Sequence, residues 1–445
     1  MPLNDYLDNI RSYKNDTPKP QQQGMFRVTV VAFEDKCNLN CGKRFAELLS
    51  SNPLFEVNFC NETFPKGFLN LQGRNFFDFI DQGNRILSES HSDIVIWGYE
   101  ENGKIRLNFQ TASQYVIPNE LFFSLLDGLF VPLSYFADIS KFSASLLLII
   151  YGVIVAAVNP VTNEQKKYKP EVLQEIIQLL SADKSPKDLS LEFMPFIMNM
   201  LGKIYLSNAH KALQPTDVEI IEKLLTTALN NRQYIRLPIY YGCIYNNFGQ
   251  LYEAAFRHIN NDSTEYLKLS IKFYREAQRY LTRNYPYDYG IIAYHLSQLH
   301  FEYWKQSDDL QALRDAVSQL REAEKVYTAV QFPQSWCHVE GKLGYYLCCL
   351  GSAIESNEIM QLAVTAYQNQ QKFYTQADFP SEWAKVQEDI GNVYYLLGKN
   401  NDDDNFMYEA RNYYNSALEV HTKLKNKKDA ENVNQRLLKL KNYIA

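Results

Sequence analysis

The sequence predicts an α+β protein in which a small N-terminal α/β sheet domain precedes an all-α solenoid. Short β-branched runs alternate with helix-like segments over residues 26–116. From Pro238 onward, a proline opens a similar stretch of sequence every 47 or 48 residues. At 445 residues the chain is also too long for one ordinary core, so several domains or a repeat array are expected.

The bulk composition is that of a folded soluble protein, with 46% apolar and 22% charged residues. A net charge of −6 argues against nucleic acid as a partner, because phosphate-backbone binding needs a basic surface. Aromatic residues are frequent, with 32 Tyr and 26 Phe. Tyrosine gives a large contact area at low entropic cost, so this usage suits a recognition surface or packing between helices.

Residues 1–25 are polar and predict a disordered N-terminal segment that lacks the apolar core of a secretory signal. The seven cysteines, an odd number, then favour reduced thiols and a cytoplasmic location. The Asn, Lys, Ile and Tyr usage is typical of an AT-rich bacterial genome, which leaves a secreted effector as an alternative.

The α/β domain of residues 26–116 is predicted in the order β-α-β-α-β-β. Its predicted strands are FRVTVVAFED (26–35), FEVNFCN (55–61), SDIVIWGYEE (92–101) and IRLNFQ (105–110). The Asn-Gly pair between the last two is a strong signal for a hairpin turn.

Residues 117–190 are apolar and predict a helical junction between the sheet domain and the repeats. Within it, residues 142–158 carry no charge over 17 positions. A membrane-spanning helix usually needs about 20 apolar residues. A buried helix is therefore the favoured interpretation, and a membrane or interfacial segment the alternative.

The repeat is defined by three positions that recur at fixed distances. They are a proline (Pro238, Pro286, Pro333, Pro380), an aromatic residue three positions later (Tyr241, Tyr289, Trp336, Trp383) and a small residue eleven positions later (Gly249, Ser297, Gly344, Gly391). Gly202, 47 residues before Gly249, marks a further copy without the proline. Five repeats are thus predicted over residues 191–426, with a capping helix over 427–445.

Each copy continues with a second amphipathic segment, so each repeat is predicted to be a pair of helices. Thirteen residues before the next proline this segment carries a large side chain, namely Phe273, Leu320 or Tyr367. A small residue on one helix facing a large residue on its neighbour allows the two helices to approach closely. The sequence therefore predicts that these large residues pack against the small ones.

The pattern Leu/Phe-Gly-x-x-Tyr followed by Ala-x-x-x-Phe/Tyr resembles the tetratricopeptide repeat, whose usual period is 34 residues. The longer period and the segment FPSEWAKVQEDIG (379–391) resemble a bacterial group of tetratricopeptide proteins with Phe-Pro-x-x-Trp-Ala openings. SDIVIWG (92–98) followed by a hairpin also resembles the amino-terminal domain of envelope proteins such as TolB, from which no function is carried over.

The residue patterns of catalytic and cofactor sites are not found, and the sequence predicts neither an enzyme nor a bound cofactor or metal. The segment after the first strand, EDKCNLNCGKR, lacks both glycine-rich phosphate-binding motifs. Cys37 and Cys41 have no second close pair of ligands, which a tetrahedral metal site usually requires. His295 and His300 are five apart, without the glutamate of a metalloprotease motif.

The resemblance to tetratricopeptide proteins implies that the first helix of each repeat lines a concave groove. The groove residues implied by that register are Asn246, Gln250, Tyr294, Gln298, His338, Tyr345, Lys385, Asn392 and Tyr395. Amides and tyrosines can hydrogen-bond an extended peptide backbone and pack against its side chains.

The expected function is a non-catalytic scaffold or adaptor that binds a protein or peptide in this groove. One alternative is a regulatory or sensory module whose α/β domain binds a small ligand. The other is a membrane-associated assembly factor that uses residues 142–158. The sequence carries no signal for the oligomeric state.

Overall fold

The computed structural model describes residues 25–37, 39–64, 74–111, 121–124, 126–158, 160, 162–182, 190–209, 212–259, 264–441 and 443. These residues form two compact units. Unit 1 comprises the described residues up to Tyr289, and unit 2 those from Gly290 onward. The predicted disordered segment 1–25 lies outside the described residues except for Met25. The domain boundaries after residues 116, 190 and 426 stay predictions.

Unit 1 contains a mixed sheet of five strands in the order β2-β1-β3-β4-β5. The strands are β1 (Phe26–Ala32), β2 (Phe55–Thr63), β3 (Ile94–Glu101), β4 (Lys104–Thr111) and β5 (Gly128–Pro132). β1 pairs in parallel with β2 and β3, whereas β4 is antiparallel to β3 and β5. Asn102 and Gly103 join β3 to β4 with φ of 52° and 74°. Positive φ at both turn positions is what a two-residue hairpin turn requires, so the predicted turn is confirmed.

Helix α1 (Cys41–Ser50) follows β1, and α2 (Arg74–Glu89) follows β2. The predicted order β-α-β-α-β-β is therefore confirmed, and the chain has the predicted layout of a small sheet followed by helices. The fifth strand, β5, was not predicted, because it lies in the segment interpreted as a helical junction. It is only five residues long and buried up to Val131, so it lacks the alternation that identifies a strand.

The uncharged stretch forms α4 (Ala144–Ala157), after the short helix α3 (Leu133–Ala137) and before α5 (Asn163–Ala182). The Ser143 hydroxyl caps α4 by accepting a hydrogen bond from the Leu146 N–H. Every residue from Ser145 to Ala157 is buried, which explains why no charge occurs along this helix. The prediction of a buried helix is confirmed. No helix among the described residues has the length and apolar character needed to cross a membrane.

Five consecutive pairs of helices follow the sheet. Those complete within unit 1 are α6 (Met194–Ala209) with α7 (Pro215–Asn230) and α8 (Ile239–His258) with α9 (Thr264–Tyr280). The third pair is α10 (Pro286–Ser307), within which unit 2 begins, and α11 (Leu310–Glu324). The remaining helices of unit 2 are α12 (Pro333–Ala353), α13 (Asn357–Gln371), α14 (Pro380–Asn401), α15 (Asp404–Lys423) and α16 (Lys427–Leu440).

The recurring prolines stand at helix starts. Pro286, Pro333 and Pro380 are the first residues of their helices, and Pro238 is the N-cap of α8. Proline is tolerated there because the first N–H groups of a helix have no intrahelical acceptor, and its fixed φ suits a helix.

The predicted packing of small against large residues is observed between paired helices. A Cβ atom on Gly344 would lie 3.0 Å from three ring carbons of Tyr367, and one on Gly391 would lie 2.7 Å from Tyr414 Cε1. In the α8–α9 pair the prediction named Phe273, but the ring against Gly249 is that of Tyr274, 2.6 Å from a Cβ there. Tyr274 lies 12 residues before Pro286, whereas Tyr367 lies 13 before Pro380, so the count of 13 named the neighbouring residue.

The end of unit 2 is covered by α16, as predicted for a capping helix. Val433 and Leu440 join the buried core formed by α14 and α15, and Leu437 packs against it. Arg436 on the same helix donates a hydrogen bond of 2.8 Å to Glu388 Oε2. Apolar burial and one charge-assisted hydrogen bond therefore hold α16 in place.

Candidate functional site

The predicted groove residues lie on the first helices of the pairs. Asn246 and Gln250 are on α8 in unit 1. Those in unit 2 are Tyr294 and Gln298 on α10, His338 and Tyr345 on α12, and Lys385, Asn392 and Tyr395 on α14. The two units differ in how far these positions are open to solvent.

In unit 1 these positions are covered by the chain itself. Asn246 and Gln250 are 0% and 2% exposed. The covering segment consists of the described residues 121–124, 126 and 127, which we call the strap. Its Phe122 N–H donates to Gln250 Oε1 at 3.0 Å, and its Phe122 carbonyl oxygen accepts a hydrogen bond from Lys203 Nζ. A glutamine and a lysine thus bind both main-chain groups of one strap residue.

A second row of amides extends this arrangement. Lys203 Nζ also donates to Gln250 Oε1 at 2.8 Å and to Asn247 Oδ1 at 3.1 Å. Asn247 Nδ2 in turn donates to Asn199 Oδ1 at 2.9 Å. Because buried polar groups are costly without partners, this continuous network fixes the facing surfaces of α6 and α8 and the position of the strap.

Three ionisable groups lie in the same buried layer. Burial lowers the pKa of Lys203 to about 8, while the charge of Asp127 on the strap opposes that shift. Burial also raises the pKa of Asp127, against the attraction of Lys203. Burial raises the pKa of Asp288 to about 7. The nearby Ser124 hydroxyl opposes this rise, although its contact with the carboxylate does not have the geometry of a hydrogen bond. Burial therefore disfavours the charged form of each of these three groups.

Not every polar atom in the layer is satisfied. Neither carboxylate oxygen of Asp288 and neither amide atom of Asn246 has a hydrogen-bond partner among the described residues. Gln250 Nε2 also has no hydrogen-bond partner among the described residues. The strap therefore uses only part of the hydrogen-bonding capacity that α8 presents to it.

In unit 2 the corresponding surface is partly open. Tyr345 is 52% exposed and His338 is exposed, whereas Tyr294 is fully buried and Gln298 half-buried. Aromatic rings pack beneath Tyr345: Phe301 stacks on Tyr346 with centroids 4.1 Å apart and lies 5.4 Å from the Tyr345 ring. These rings form a firm apolar floor on which a bound side chain could pack.

The α14 positions combine exposed and engaged side chains. Lys385 is exposed. Asn392 Oδ1 accepts a hydrogen bond of 2.8 Å from the Tyr414 hydroxyl, which leaves its amide N–H groups as donors. The ring of Tyr395 contacts that of Tyr443 edge-on at 5.8 Å. The open stretch of this surface in unit 2 therefore centres on Gln298, His338, Tyr345 and Lys385.

Five residues of the buried layer in unit 1 were not predicted from the sequence, namely Lys203, Asn199, Asn247, Asp127 and Asp288. The repeat itself carries the signal for two of them. Lys203 follows Gly202 as Gln250 follows Gly249, and Asn199 stands 47 residues before Asn246. Applying the groove register to the first copy, which lacks the proline, would have identified both. The remaining three do not occupy groove positions of that register.

This surface can hold an extended main chain through amide and lysine side chains and can pack its side chains on aromatic rings. Among the described residues, no group of three or more His, Cys, Asp or Glu is placed to hold a metal ion. Cys41 is buried, and its burial raises the pKa of its thiol. The negative charge of the nearby Asp35 carboxylate raises it further, so this thiol is a poor nucleophile.

Comparison with known proteins finds no protein-family model that matches the chain and no match among curated proteins.

Proposed function

We propose that the protein is a non-catalytic scaffold that binds an extended peptide segment of a partner protein on the open surface of unit 2. The observation that carries this proposal is the strap in unit 1. There, Gln250 binds the N–H of Phe122 and Lys203 binds its carbonyl. Gln250 and Lys203 each stand directly after the small residue of their first helix. In unit 2 the same register position is held by Gln298, Tyr345 and Asn392.

The side chains at these positions support the same use. Gln298 Nε2 is buried and has no hydrogen-bond partner among the described residues, so a rotation of this half-buried amide would present a donor to a peptide. The Asn392 amide retains its donors. An extended peptide offers one carbonyl and one N–H per residue and can satisfy both. The exposed Tyr345 ring and the Phe301 ring beneath it would contact a peptide side chain. We further propose that the helix pairs are long-period tetratricopeptide repeats, whose first helices use this surface.

Site-specific photo-crosslinking in cells tests the proposal. A photoreactive phenylalanine analogue replaces Tyr345 on α12 or, as the control, Tyr408 on α15, which is 42% exposed and lies on a second helix. We expect a discrete crosslinked protein with the probe at position 345 and none with the probe at position 408. Equal crosslinking from both positions, or none from position 345, would refute binding at this surface.

A variant then separates binding from folding. Replacing Gln298, Tyr345 and Lys385 with alanine removes half-buried or exposed side chains and leaves the core rings in place. The matched control replaces the exposed residues Leu362, Tyr408 and Lys399 with alanine. We expect the crosslinked partner, once identified, to bind at least about tenfold more weakly to the first variant, since each removed contact contributes roughly 1 kcal/mol. The control should bind as the wild type does.

A further inference from the structure

We propose that unit 1 contains a second, independent site, at the tip of the β3–β4 hairpin, that binds a free α-amino acid through its ammonium and carboxylate groups. The site is a pocket of about 40 Å³ to which the hairpin, β5, α6, α8 and two short 3₁₀ turns each contribute. Its polar lining residues are Glu101, Asn102, Lys104, Glu192 and Arg236, and its aromatic ones are Phe130, Phe193, Phe196, Tyr234 and Tyr240.

The aromatic side chains give the pocket fixed walls. The rings of Phe130, Phe196 and Tyr240 pack against one another at centroid distances of 4.6, 5.9 and 5.1 Å, with interplanar angles of 59°, 82° and 89°. Such tilted and edge-to-face contacts hold each ring in one orientation. A preformed aromatic pocket with a few polar groups at its edge is the usual form of a small-molecule site.

Two of the four charged lining residues neutralise each other. Lys104 Nζ lies 2.5 Å from Glu192 Oε2 and 5.0 Å from the centroid of the Phe193 ring. This leaves Glu101 as a negative group and Arg236 as a positive group on the lining. Arg236 forms no ion pair or hydrogen bond with any residue that the structure describes, and its side chain is exposed.

Two buried polar atoms of the lining also lack partners. Glu101 Oε2 and the hydroxyl of Tyr240 are both inaccessible to solvent and have no hydrogen-bond partner among the described residues. Tyr240 as a whole is 6% exposed. Because buried polar groups are nearly always hydrogen-bonded, these two lining side chains have bonding capacity left, which a ligand would use once they turn toward the pocket.

An α-amino acid has the groups that this lining requires. Its ammonium can donate to Glu101 and lie against the aromatic rings, and its carboxylate can accept from Arg236 and the Tyr240 hydroxyl. A ligand with only one of these charges would leave Glu101 or Arg236 without a partner. The pocket has room for about three water molecules, so it would take the charged head group and leave the side chain directed outward.

Titration of the full-length protein with each common amino acid, followed by calorimetry and thermal unfolding, tests this site. We expect at least one to bind saturably and to raise the unfolding temperature, as mass action requires for a ligand of the folded state. The N-acetyl and carboxamide derivatives of that amino acid should both lose affinity by about tenfold or more, since each lacks one charge-assisted hydrogen bond. Undiminished binding of either derivative, or no binding of any amino acid at millimolar concentration, would overturn the proposal.

Variants locate the binding in this pocket. Glu101→Gln keeps the size of the side chain and removes its charge, and Arg236→Gln removes the guanidinium charge and shortens the side chain. Each should weaken binding by about tenfold. The matched controls, Glu47→Gln and Lys43→Gln, change an exposed acid and an exposed base on α1 and should bind as the wild type does. Because Arg236 is exposed, its variant retains the fold, and wild-type affinity in that variant would place the binding elsewhere.

Discussion

The close approach of paired helices at glycine can be tested most directly at Gly391. A Cβ added there would lie 2.7 Å from Tyr414 Cε1 and 2.8 Å from Cδ1, well inside an ordinary carbon–carbon contact. The Tyr414 ring is 2% exposed, and its hydroxyl is tied to Asn392, so it has little freedom to move away. Gly391→Ala should therefore force α14 and α15 apart.

The expected cost is the difference between two opposing terms. Overpacking a well-filled core by one methyl group costs about 1–3 kcal/mol. Replacing glycine with alanine inside a helix recovers up to about 1 kcal/mol. We therefore expect Gly391→Ala to destabilise the α14–α15 pair by about 1–2 kcal/mol.

Gly341 on α12 provides a matched control. The three atoms nearest to a Cβ there all belong to the Gln370 side-chain amide, with Nε2 at 2.4 Å, and that half-buried amide can turn aside. Gly341→Ala should thus be neutral or stabilising by up to about 1 kcal/mol, because the helix-propensity gain is retained.

Native-state hydrogen exchange is the suitable measurement, because it reports local free energies without assuming that both units unfold together. Amides of α14 and α15 should exchange faster in Gly391→Ala. The second variant Tyr414→Leu should remove most of that penalty when combined with Gly391→Ala, giving a coupling energy of about 1 kcal/mol or more. Additive effects of the two substitutions, or equal effects of Gly391→Ala and Gly341→Ala, would refute the close-packing argument.

Three further predictions concern the buried carboxyl of unit 1, the capping helix and the hairpin. Since the pKa of Asp288 is about 7 in the folded state and 3.8 is its ordinary value, the folded state binds the proton more tightly, and stability should fall as pH rises from about 4 to about 7. Asp288→Asn should remove this dependence and stabilise unit 1 at pH above 7 by up to about 4 kcal/mol. The measurement compares the urea midpoints of the variant and the wild type below pH 4 and above pH 7. A difference between the two proteins that is the same at both pH values contradicts the prediction. Arg436→Ala should lower the free energy of opening of α16, measured by hydrogen exchange, by about 1 kcal/mol, because Glu388 loses a charge-assisted donor. Lys439→Ala, at an exposed position of the same helix, should leave that free energy unchanged. Gly103→Ala should cost unit 1 about 1 kcal/mol in urea unfolding through its φ of 74° alone, since nothing lies within 4 Å of the added Cβ; an unchanged midpoint would argue against this turn.

The elements that the sequence predicts well are those with a local physical signal. Asn102-Gly103 identifies the hairpin because few residue pairs adopt two positive φ angles. Proline at a helix start is predicted by backbone chemistry, and glycine facing tyrosine is predicted by side-chain size. Both recur at nearly constant spacing in the sequence, so the spacing alone locates them to within one residue. By contrast, β5 is too short and too uniformly buried to be distinguished from a helix by its periodicity.

The candidate site was harder to predict because exposure depends on distant parts of the chain. The register assigns Gln250 and Tyr345 to the same position, yet one is 2% and the other 52% exposed. The strap, more than 100 residues earlier in the sequence, lies on α8 and donates its Phe122 N–H to Gln250. No local pattern at residues 121–127 indicates that contact, since five of these seven residues are apolar and the segment matches no motif.

The residue types at the register position after each small residue support the proposal that this surface binds main chain. In unit 1 that position holds Lys203 and Gln250, both fully buried, where an apolar side chain would pack at lower cost. Their burial is offset by hydrogen bonds from the Phe122 N–H to Gln250 Oε1 and from Lys203 Nζ to the Phe122 carbonyl and Asn247, although Gln250 Nε2 has no partner among the described residues. Gln298 and Asn392 place amides at the same position in unit 2. A purely structural repeat has no need of an amide there, whereas a surface that binds peptide backbone does.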